Sequence, residues 1–487
     1  MRSSSRLLAP ALLLAALLVA GLGRAAAGPG SLDPRFGKGG KVVTKVGLGS
    51  DAQALALQRD GKIVIAGWDV YTGSNDEFAL ARYTRRGTLD SSFGKGGIVR
   101  TRVGLSSGAY AVTIQKDGKI VAAGWTFDGA TSNFALTRYR RNGSLDPTFG
   151  NGGRASVPSG IAVALAVQPD GKILAGGGRD RDFAVVRYRH DGTLDPGFGA
   201  GGIVSTPVAL SSSHINALTV QSDGKIVAAG SASGHEVSEM AFARYNPDGS
   251  LDTSFGSGGT ATMLYQALSD NFAAAVRMQG KRILAAGAFG SYVALLRLRP
   301  NGSLDPSFGE RSDGTTLNPQ GAWATSLAVQ SDGRIVLAGG RVEGAKLNFA
   351  VARYSREGYL DSSFGPDGWV TARLSTGQDV AHAVTVEGDG RIVAAGAANE
   401  YQPGGGFGVV RYLVAYTCRV PDVRGRALAA ARRAIRHGHC SVGGVTRAFS
   451  DRVGMGRGRV ISQRPAPRTA HHEYTKVFLV VSKGPRL

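Results

Sequence analysis

The sequence predicts a mainly β fold: a seven-bladed β-propeller of four-stranded blades, followed by a small α+β domain. Three observations predict it. A unit of about 55 residues recurs seven times, short apolar segments alternate with Gly-containing turns inside each unit, and the composition becomes strongly basic near residue 417. The 487 residues include 72 Gly, and 43% are hydrophobic, so the chain can form many turns and still bury a large core.

Residues 1–27 have the pattern of a secretory signal peptide. Arg2 and Arg6 precede an apolar run over residues 7–22, and residues 25–27 are three alanines that offer a cleavage site. A membrane anchor is the alternative, but the run is short for a transmembrane span. We therefore expect a secreted protein with no transmembrane segment after cleavage, and nucleic acid is not an expected partner.

Three short patterns mark each unit of the repeat. LDxxFG occurs seven times at spacings of 49 to 57 residues, and DGK or DGR follows an apolar run in six units. The one remaining copy of that turn, at residues 279–281, is degenerate. A third pattern, FAxxRY, places an arginine in every unit. An Asp-Gly pair supplies the positive φ that a tight hairpin requires, so each unit contains at least one hairpin.

The first unit predicts four strands, which are Ala54–Gln58, Lys62–Ala66, Phe78–Tyr83 and Ile98–Val103. Four short strands in a repeated unit of this length are typical of a propeller blade. Both faces of the first strand are apolar, as expected where blades stack on both sides of each sheet. A solenoid is the competing architecture, but it requires dissimilar capping ends.

The spacing of the motifs indicates that the array closes on itself. In six units the FAxxRY arginine stands eight residues before the LDxxFG aspartate, from Arg82 and Asp90 to Arg353 and Asp361. Asp33 has no such arginine upstream, and Arg411 has no such aspartate downstream. We expect residues 31–46 to supply the outer strand of the last blade, next to Arg411, which leaves no exposed edge strand. A residue present in every blade is more typical of a scaffold than of a Ca²⁺ or catalytic site, so these pairs are interpreted as structural.

The repeats resemble the delta sixty repeat family of bacterial β-propeller repeats. The resemblance is carried by GSLDPSFG at 302–309, QSDGKIVAAG at 221–230 and NFAVARY at 348–354, and it extends from Ser31 to Tyr412. Blade five departs from the pattern at its turn. The resemblance implies a propeller over residues 28–416 and brings no catalytic residue with it.

Residues 417–487 resemble a PASTA domain. The matching stretches are VPDV at 420–423, VISQ at 460–463 with PAP at 465–467, and a closing strand at 477–482. Residues 428–436 are expected to form its helix and residues 442–449 a strand. The resemblance implies binding to cell-wall peptidoglycan.

The charge and the cysteines of the chain concentrate in the same region. Residues 418–487 hold fifteen Lys and Arg against three Asp and Glu, which also suits another anionic wall polymer. The chain has two cysteines, Cys418 and Cys440. In an exported protein such a pair predicts a structural disulfide, and two buried thiols are the alternative.

The loops from strand two to strand three, and from each blade to the next, differ between blades and share one face, which we name the variable rim. A rigid scaffold with differing loops commonly forms a binding site. Its aromatic residues predict a protein or glycan ligand, with aromatic packing at blade edges as the alternative. The candidate residues are Trp68, Tyr71, Trp125, Trp323 and Tyr401. His382 belongs to a second candidate, a mixed ring at the inner mouth with Gln53, Tyr110, Val163, Asn216, Ala273 and Thr325, for which a solvent-lined channel is the alternative.

These observations favour an exported, non-enzymatic binding or scaffold protein, monomeric and associated with the cell wall. The sequence has no G-x-S-x-G, P-loop or H-E-x-x-H motif, and no carboxylate stands at ligand spacing around His214 or His382. No cofactor and no metal are expected. The alternatives are a propeller lyase or hydrolase acting on cell-wall or polysaccharide substrates, and a purely structural surface protein.

Overall fold

The computed structural model describes residues 28–71, 75–209, 211–234, 237–264, 271–318, 321–400, 402, 404–414, 418–437, 440–450, 456–467, 469–471 and 476–484. The chain divides into two compact units, one of residues 28–415 and one that contains residues 416–487. The signal peptide predicted for residues 1–27 lies outside the described residues and stays a prediction.

The first unit contains seven four-stranded antiparallel sheets, which confirms the seven-bladed propeller. The closing strand and blades one to three are β1 (Lys41–Thr44), β2 (Gly49–Leu57), β3 (Ile63–Tyr71), β4 (Asn75–Tyr83), β5 (Ile98–Thr101), β6 (Ser106–Ile114), β7 (Ile120–Phe127), β8 (Ser132–Tyr139), β9 (Arg154–Val157), β10 (Ile161–Val167), β11 (Ile173–Arg179), β12 (Asp182–Tyr188) and β13 (Ile203–Thr206). Blades four to seven are β14 (Ser212–Val220), β15 (Ile226–Ser233), β16 (Ser238–Tyr245), β17 (Thr260–Met263), β18 (Asn271–Gln279), β19 (Arg282–Phe289), β20 (Tyr292–Leu298), β21 (Thr315–Asn318), β22 (Ala322–Val329), β23 (Ile335–Glu343), β24 (Lys346–Tyr354), β25 (Trp369–Ala372), β26 (Asp379–Val386), β27 (Ile392–Ala398) and β28 (Gly406–Tyr412).

Each innermost strand contains a β-bulge that the sequence pattern does not reveal. In blade one the register shifts between Ala52 and Ala54, which leaves Gln53 as the extra residue. The prediction that this strand begins at Ala54 is therefore wrong. The strand begins at Gly49, because its pairing with β3 extends past the bulge, where the apolar pattern of the sequence stops. In blade five the extra residue is Ala274. The prediction that Ala273 belongs to the inner ring is therefore wrong, and Ala274 occupies that position.

The hydrophobic core lies between adjacent blades, so each sheet is buried on both faces. One cluster joins Val64 and Phe78 of blade one to Ile120 and Tyr139 of blade two, all with no exposed surface. Phe93 of the second LDxxFG motif belongs to the same cluster. Because stacking requires both faces to be apolar, the strands are nearly continuous apolar runs.

The ring is closed by the N-terminal segment, as the unpaired motifs predicted. β1 forms the fourth strand of blade seven and pairs antiparallel with β28, from Lys41 opposite Val410 to Thr44 opposite Phe407. The backbone N–H of Gly365 donates to the carbonyl of Pro29 at 3.2 Å, in the place where other blades use a turn of their neighbour.

The second unit is α+β, as predicted. It contains β29 (Cys418–Arg419), α1 (Leu428–His437), β30 (Ser441–Ala448), β31 (Val460–Arg464), β32 (Ala470–His471) and β33 (Lys476–Ser482). β33 is the central strand of a three-stranded sheet in the order β30-β33-β31, and β29 pairs with β32. Val423, Ala431, Ile435 and Leu479 form its core. Within the described ranges of the whole chain, no helix has the length and apolarity that a bilayer crossing requires.

Candidate functional site

The face that carries LDxxFG and the DGK turns is occupied by one repeated ion-pair network. In blade one, Arg82 Nε donates to Asp90 Oδ2 at 2.8 Å, and Lys62 Nζ lies 3.0 Å from the same oxygen. Asp90 Oδ1 accepts hydrogen bonds from the backbone N–H and the hydroxyl of Ser92, so the Asp90 carboxylate caps the turn. Burial raises the pKa of Asp90, but the bonds from Ser92 and Lys62 and the charge of Arg82 outweigh it, so the net pKa lies below its usual value.

The same arginine also joins each blade to the next. The guanidinium donates through Nη1 to a backbone carbonyl of the following blade and lies over the phenylalanine of its own LDxxFG motif. The donor and acceptor pairs are Arg82 to Arg141, Arg138 to His190, Arg187 to Pro247, Arg244 to Pro300, Arg297 to Arg356, Arg353 to Val414, and Arg411 to Arg85. We name each arginine with its aspartate and its carbonyl acceptor an inter-blade latch.

The predicted structural pairs all lie in these latches. Arg353 Nε donates to Asp361 Oδ2 at 2.8 Å, and Arg411 Nε donates to Asp33 Oδ2 at 3.0 Å across the closure of the ring. The charged groups of the seven inter-blade latches pair with one another and with the backbone, so they stabilise the scaffold. The variable rim is the better candidate for a ligand-binding surface.

At the junction of blades one and two, Trp68 contacts Tyr110 of the inner ring, and Trp68 and Trp125 both lie next to Gly108. The rings of Trp68 and Tyr110 pack edge to face with centroids 5.4 Å apart. Trp125 is the register partner of Gly108, and a Cβ at Gly108 would stand 2.8 Å from Trp125 Nε1 and 3.3 Å from Trp68 Cβ. All three aromatic side chains are half-buried. We name Trp68, Tyr110 and Trp125 the aromatic cluster.

One acidic side chain, Asp76, lies close enough to this cluster to act on Tyr110. Burial raises the pKa of Asp76, and the pKa of Tyr110 is raised by burial and by the nearby Asp76 charge. Asp69, next to Trp68 in the chain, has no exposed surface, and its Oδ2 lies 2.5 Å from Arg100 Nη2. Burial raises the pKa of Asp69 to about 6; Arg100 opposes the shift, and Glu77 and Asp76 add to it. The junction therefore combines aromatic surface with the charge of Asp76, while Asp69 faces the opposite side of the blade-one sheet.

We predict that Asp69→Asn raises the melting temperature at about pH 7.5 and has little effect at about pH 4. The folded state holds its proton to about pH 6, whereas the unfolded chain releases it near the ordinary value of 3.8. Stability from this group is thus present at low pH and lost as pH rises through 6, and asparagine mimics the protonated carboxyl. Thermal melts across pH measure the difference. A stability gap that is the same at both pH values would contradict the assignment.

Blade seven places a histidine–carboxylate pair on the same rim. His382 Nε2 lies 3.0 Å from Glu400 Oε1, with 15% and 11% of the two side chains exposed. Sequence spacing does not reveal this pair, because the β26–β27 hairpin brings together residues 18 apart. The Glu400 loop is held against blade one, where Gly404 N donates to Leu48 O at 3.0 Å.

The remaining predicted residues do not join either group. Trp323 lies in blade six, where its ring covers Gly340 of the same blade. His214 is accompanied by the Ser231 hydroxyl, and burial lowers its pKa. The side chains of Tyr71 and Tyr401 lie outside the described residues. Tyr110 was noted only as a member of the inner ring, and its contact with Trp68 depends on blade packing. Among the residues that the structure describes, no three His, Cys, Asp or Glu side chains are grouped closely enough to hold a metal.

In the second unit, the side chain of Gln463 connects the VPDV and VISQ stretches of the sequence. Its Oε1 accepts from the backbone N–H of Val423 at 2.8 Å, and its Nε2 donates to the carbonyl of Pro421 at 2.8 Å. VPDV and VISQ are therefore joined through one amide. Eleven basic side chains of the described part of this unit are exposed, and they are Arg424, Arg426, Arg432, Arg433, Arg436, Arg447, Arg457, Arg459, Arg464, Lys476 and Lys483. Asp422, its one described acid, pairs with Arg424 at 2.6 Å.

Comparison with known proteins assigns both units. A β-propeller family described as a domain of unknown function, DUF5122, matches residues 58–93, 115–149, 168–198, 221–255, 281–308, 330–364 and 387–413. The PASTA domain family matches residues 419–483. No curated protein matches the sequence.

The solved structures that match this chain are distant from it in sequence. A protein of unknown function from Dyadobacter fermentans is 12% identical with a TM-score of 0.43, and the match covers 78% of this chain and 100% of that one. A putative 6-phosphogluconolactonase from Bacteroides uniformis is 13% identical with a TM-score of 0.42, over 72% and 96% of the two chains. The PQQ-bound aldose sugar dehydrogenase of Streptomyces coelicolor is 12% identical with a TM-score of 0.35, over 64% and 93%. With seven matching repeats and seven closed blades, the chain belongs to the DUF5122 β-propeller family and carries a C-terminal PASTA domain.

Proposed function

We propose that this is an exported, cell-wall-associated binding protein without catalytic activity. Its PASTA domain holds anionic wall polymer, peptidoglycan in the first place, and the variable rim of the propeller binds a protein or glycan partner. The observation that carries the proposal is the PASTA domain itself, with eleven exposed basic side chains and one acid in its described part. Such a surface attracts acidic polymers, and the aromatic cluster supplies a separate surface for the partner.

Sedimentation with purified peptidoglycan tests the wall-binding part. We expect the chain of residues 28–487 to sediment with the wall at an ionic strength of about 0.15 M and to stay bound as salt is raised, because contacts at short range are screened less than distant charges. The matched control is the propeller unit alone, residues 28–415, which we expect to remain in solution. Binding that disappears at about 0.5 M salt would indicate charge attraction without specific recognition.

We further propose the disulfide between Cys418 and Cys440. Cys440 is 3% exposed and belongs to the core of the PASTA domain, and the side chain of Cys418 lies outside the described residues. Closing a loop of this length restricts the unfolded chain and contributes about 3 kcal/mol. We predict that Cys440→Ser, and reducing agent on the wild type, lower the PASTA melting transition and leave the propeller transition unchanged. Alkylation of both thiols without reductant, measured by intact mass, would contradict the pairing.

A second candidate function is a lyase or hydrolase acting on polysaccharide, and the His382–Glu400 pair favours it. A carboxylate that orients an imidazole is a common arrangement for general base catalysis. Release of soluble sugar fragments from wall material, lost in both His382→Gln and Glu400→Gln, would establish this function. Fragment release that is equal in wild type and variants, or absent from all, leaves the binding role.

A further inference from the structure

The PASTA domain exposes a phenylalanine in the middle of its three-stranded sheet. Phe478 lies within β33, the central strand of the three-stranded sheet, and is 52% exposed. Its chain neighbours Val477 and Leu479 are buried in the core, so Phe478 points to the opposite, outer face of the sheet. The ring therefore stands in the middle of that outer face.

A pair of glycines gives this ring its position. β30 has a register shift between Val442 and Val445, which places Gly443 and Gly444 opposite Phe478. A Cβ at Gly443 would stand 3.0 Å from ring atom Cδ1 of Phe478, and one at Gly444 would stand 3.5 Å from it. The ring thus lies over bare backbone, and a side chain at either position would crowd it.

The surroundings of the ring are basic and hydroxylated. Arg464 of β31 is the register partner of Phe478, and Lys476 lies two residues before it on the same face, and both are exposed. The next row across the sheet holds Ser462 and Thr446 on either side of Val480. Of the described residues on these three strands, none is a carboxylate. An aromatic ring between two cations and two hydroxyls suits a ligand with an apolar face and an anionic edge.

We propose that this outer face binds the glycan strand of an anionic, carboxylate-bearing amino-sugar polymer. Phe478 stacks against the C–H face of one pyranose ring, while Arg464 and Lys476 pair with carboxylates along the strand. The proposal rests on the proposed wall-binding function and names the surface responsible for it. A polyphosphate backbone would match the cations but would leave the half-exposed ring unused, so charge complementarity and stacking together favour the glycan.

The experiment measures binding of the full chain, residues 28–487, to soluble peptidoglycan strands by calorimetry at about 0.15 M salt. We expect Phe478→Ala and Phe478→Leu to weaken binding about tenfold, and Phe478→Tyr to retain it, because stacking requires an aromatic face. Arg464→Gln should weaken binding to strands that carry peptides more than binding to a neutral N-acetylglucosamine oligomer. Phe449, 51% exposed and beyond the end of β30, is the matched control, so Phe449→Ala should bind as the wild type does.

The outcomes separate the two proposals. Failure of the wild type to bind any peptidoglycan would overturn the wall-binding function and this surface together. Wild-type binding that Phe478→Ala retains, with an unchanged melting temperature, would overturn the surface alone and leave the function. Equal losses in Phe478→Ala and Phe449→Ala would also overturn it, as would stronger binding to inorganic polyphosphate than to peptidoglycan.

Discussion

Removing residues 28–44 from a chain of residues 28–487 is expected to open the propeller and lower its melting temperature by at least about 10 °C. The deletion removes β1, which pairs with β28 from Phe407 to Val410. It also removes Phe36, which has no exposed surface and packs with Val393 and Val409. The exposed edge of β28 then offers free N–H and C=O groups to other chains, so aggregation should accompany the loss of stability.

Complementation in trans distinguishes ring opening from general damage. A synthetic peptide of residues 28–46 should bind the shortened chain by strand addition and restore its melting temperature. The matched control is the same peptide with Asp33→Ala and Phe36→Ala, which keeps the strand sequence but lacks the latch and the core contact. A shortened chain that melts as the full chain does would show that the closing strand contributes little to the ring.

The sequence-based expectations were strongest where a feature recurs. Seven spaced motifs predicted blade number and closure, because the ring places unpaired Asp33 and Arg411 together. The acceptors of the latch arginines were not predictable: each is a backbone carbonyl, such as that of His190 for Arg138, and a carbonyl carries no residue-type signal. The bulge at Gln53 was missed for a related reason, since one extra residue in a strand alters pairing without altering composition.

The candidate site was predictable only in its residue types. Aromatic residues near the rim pointed to Trp68 and Trp125, but the contact of Trp68 with Tyr110 depends on how blade two packs on blade one. The pairing of Glu400 with His382 was not predicted, because Glu400 lies 18 residues away in a loop that differs from those of the other blades. Features that occur once in an otherwise repeated chain give no periodic signal, and binding sites on propeller rims consist of such features.

Arg138→Ala is expected to cost about 3–5 kcal/mol in the free energy of unfolding, because it breaks a buried ion pair and an inter-blade contact together. Arg138 and Asp146 are 4% and 2% exposed, and the guanidinium also serves Thr148 and the carbonyl of His190. Arg138→Lys should lose most of the same energy, since an ammonium cannot reach three acceptors in the planar geometry of guanidinium. Urea unfolding measures both variants, with the exposed Arg140→Ala as the matched control.

The pH dependence of this loss identifies its cause. Burial raises the pKa of Asp146, but bonds from Lys119 and Thr148 and the charge of Arg138 hold the net pKa below its ordinary value of 3.8. A lowered carboxyl pKa contributes stability above the unfolded value, and this stability disappears as pH falls through the folded one. The difference between wild type and Arg138→Ala should therefore be full at about pH 6 and shrink progressively below about pH 4. A difference that stays constant down to about pH 2 would assign the loss to packing of Arg138 on Phe149 and not to its charge.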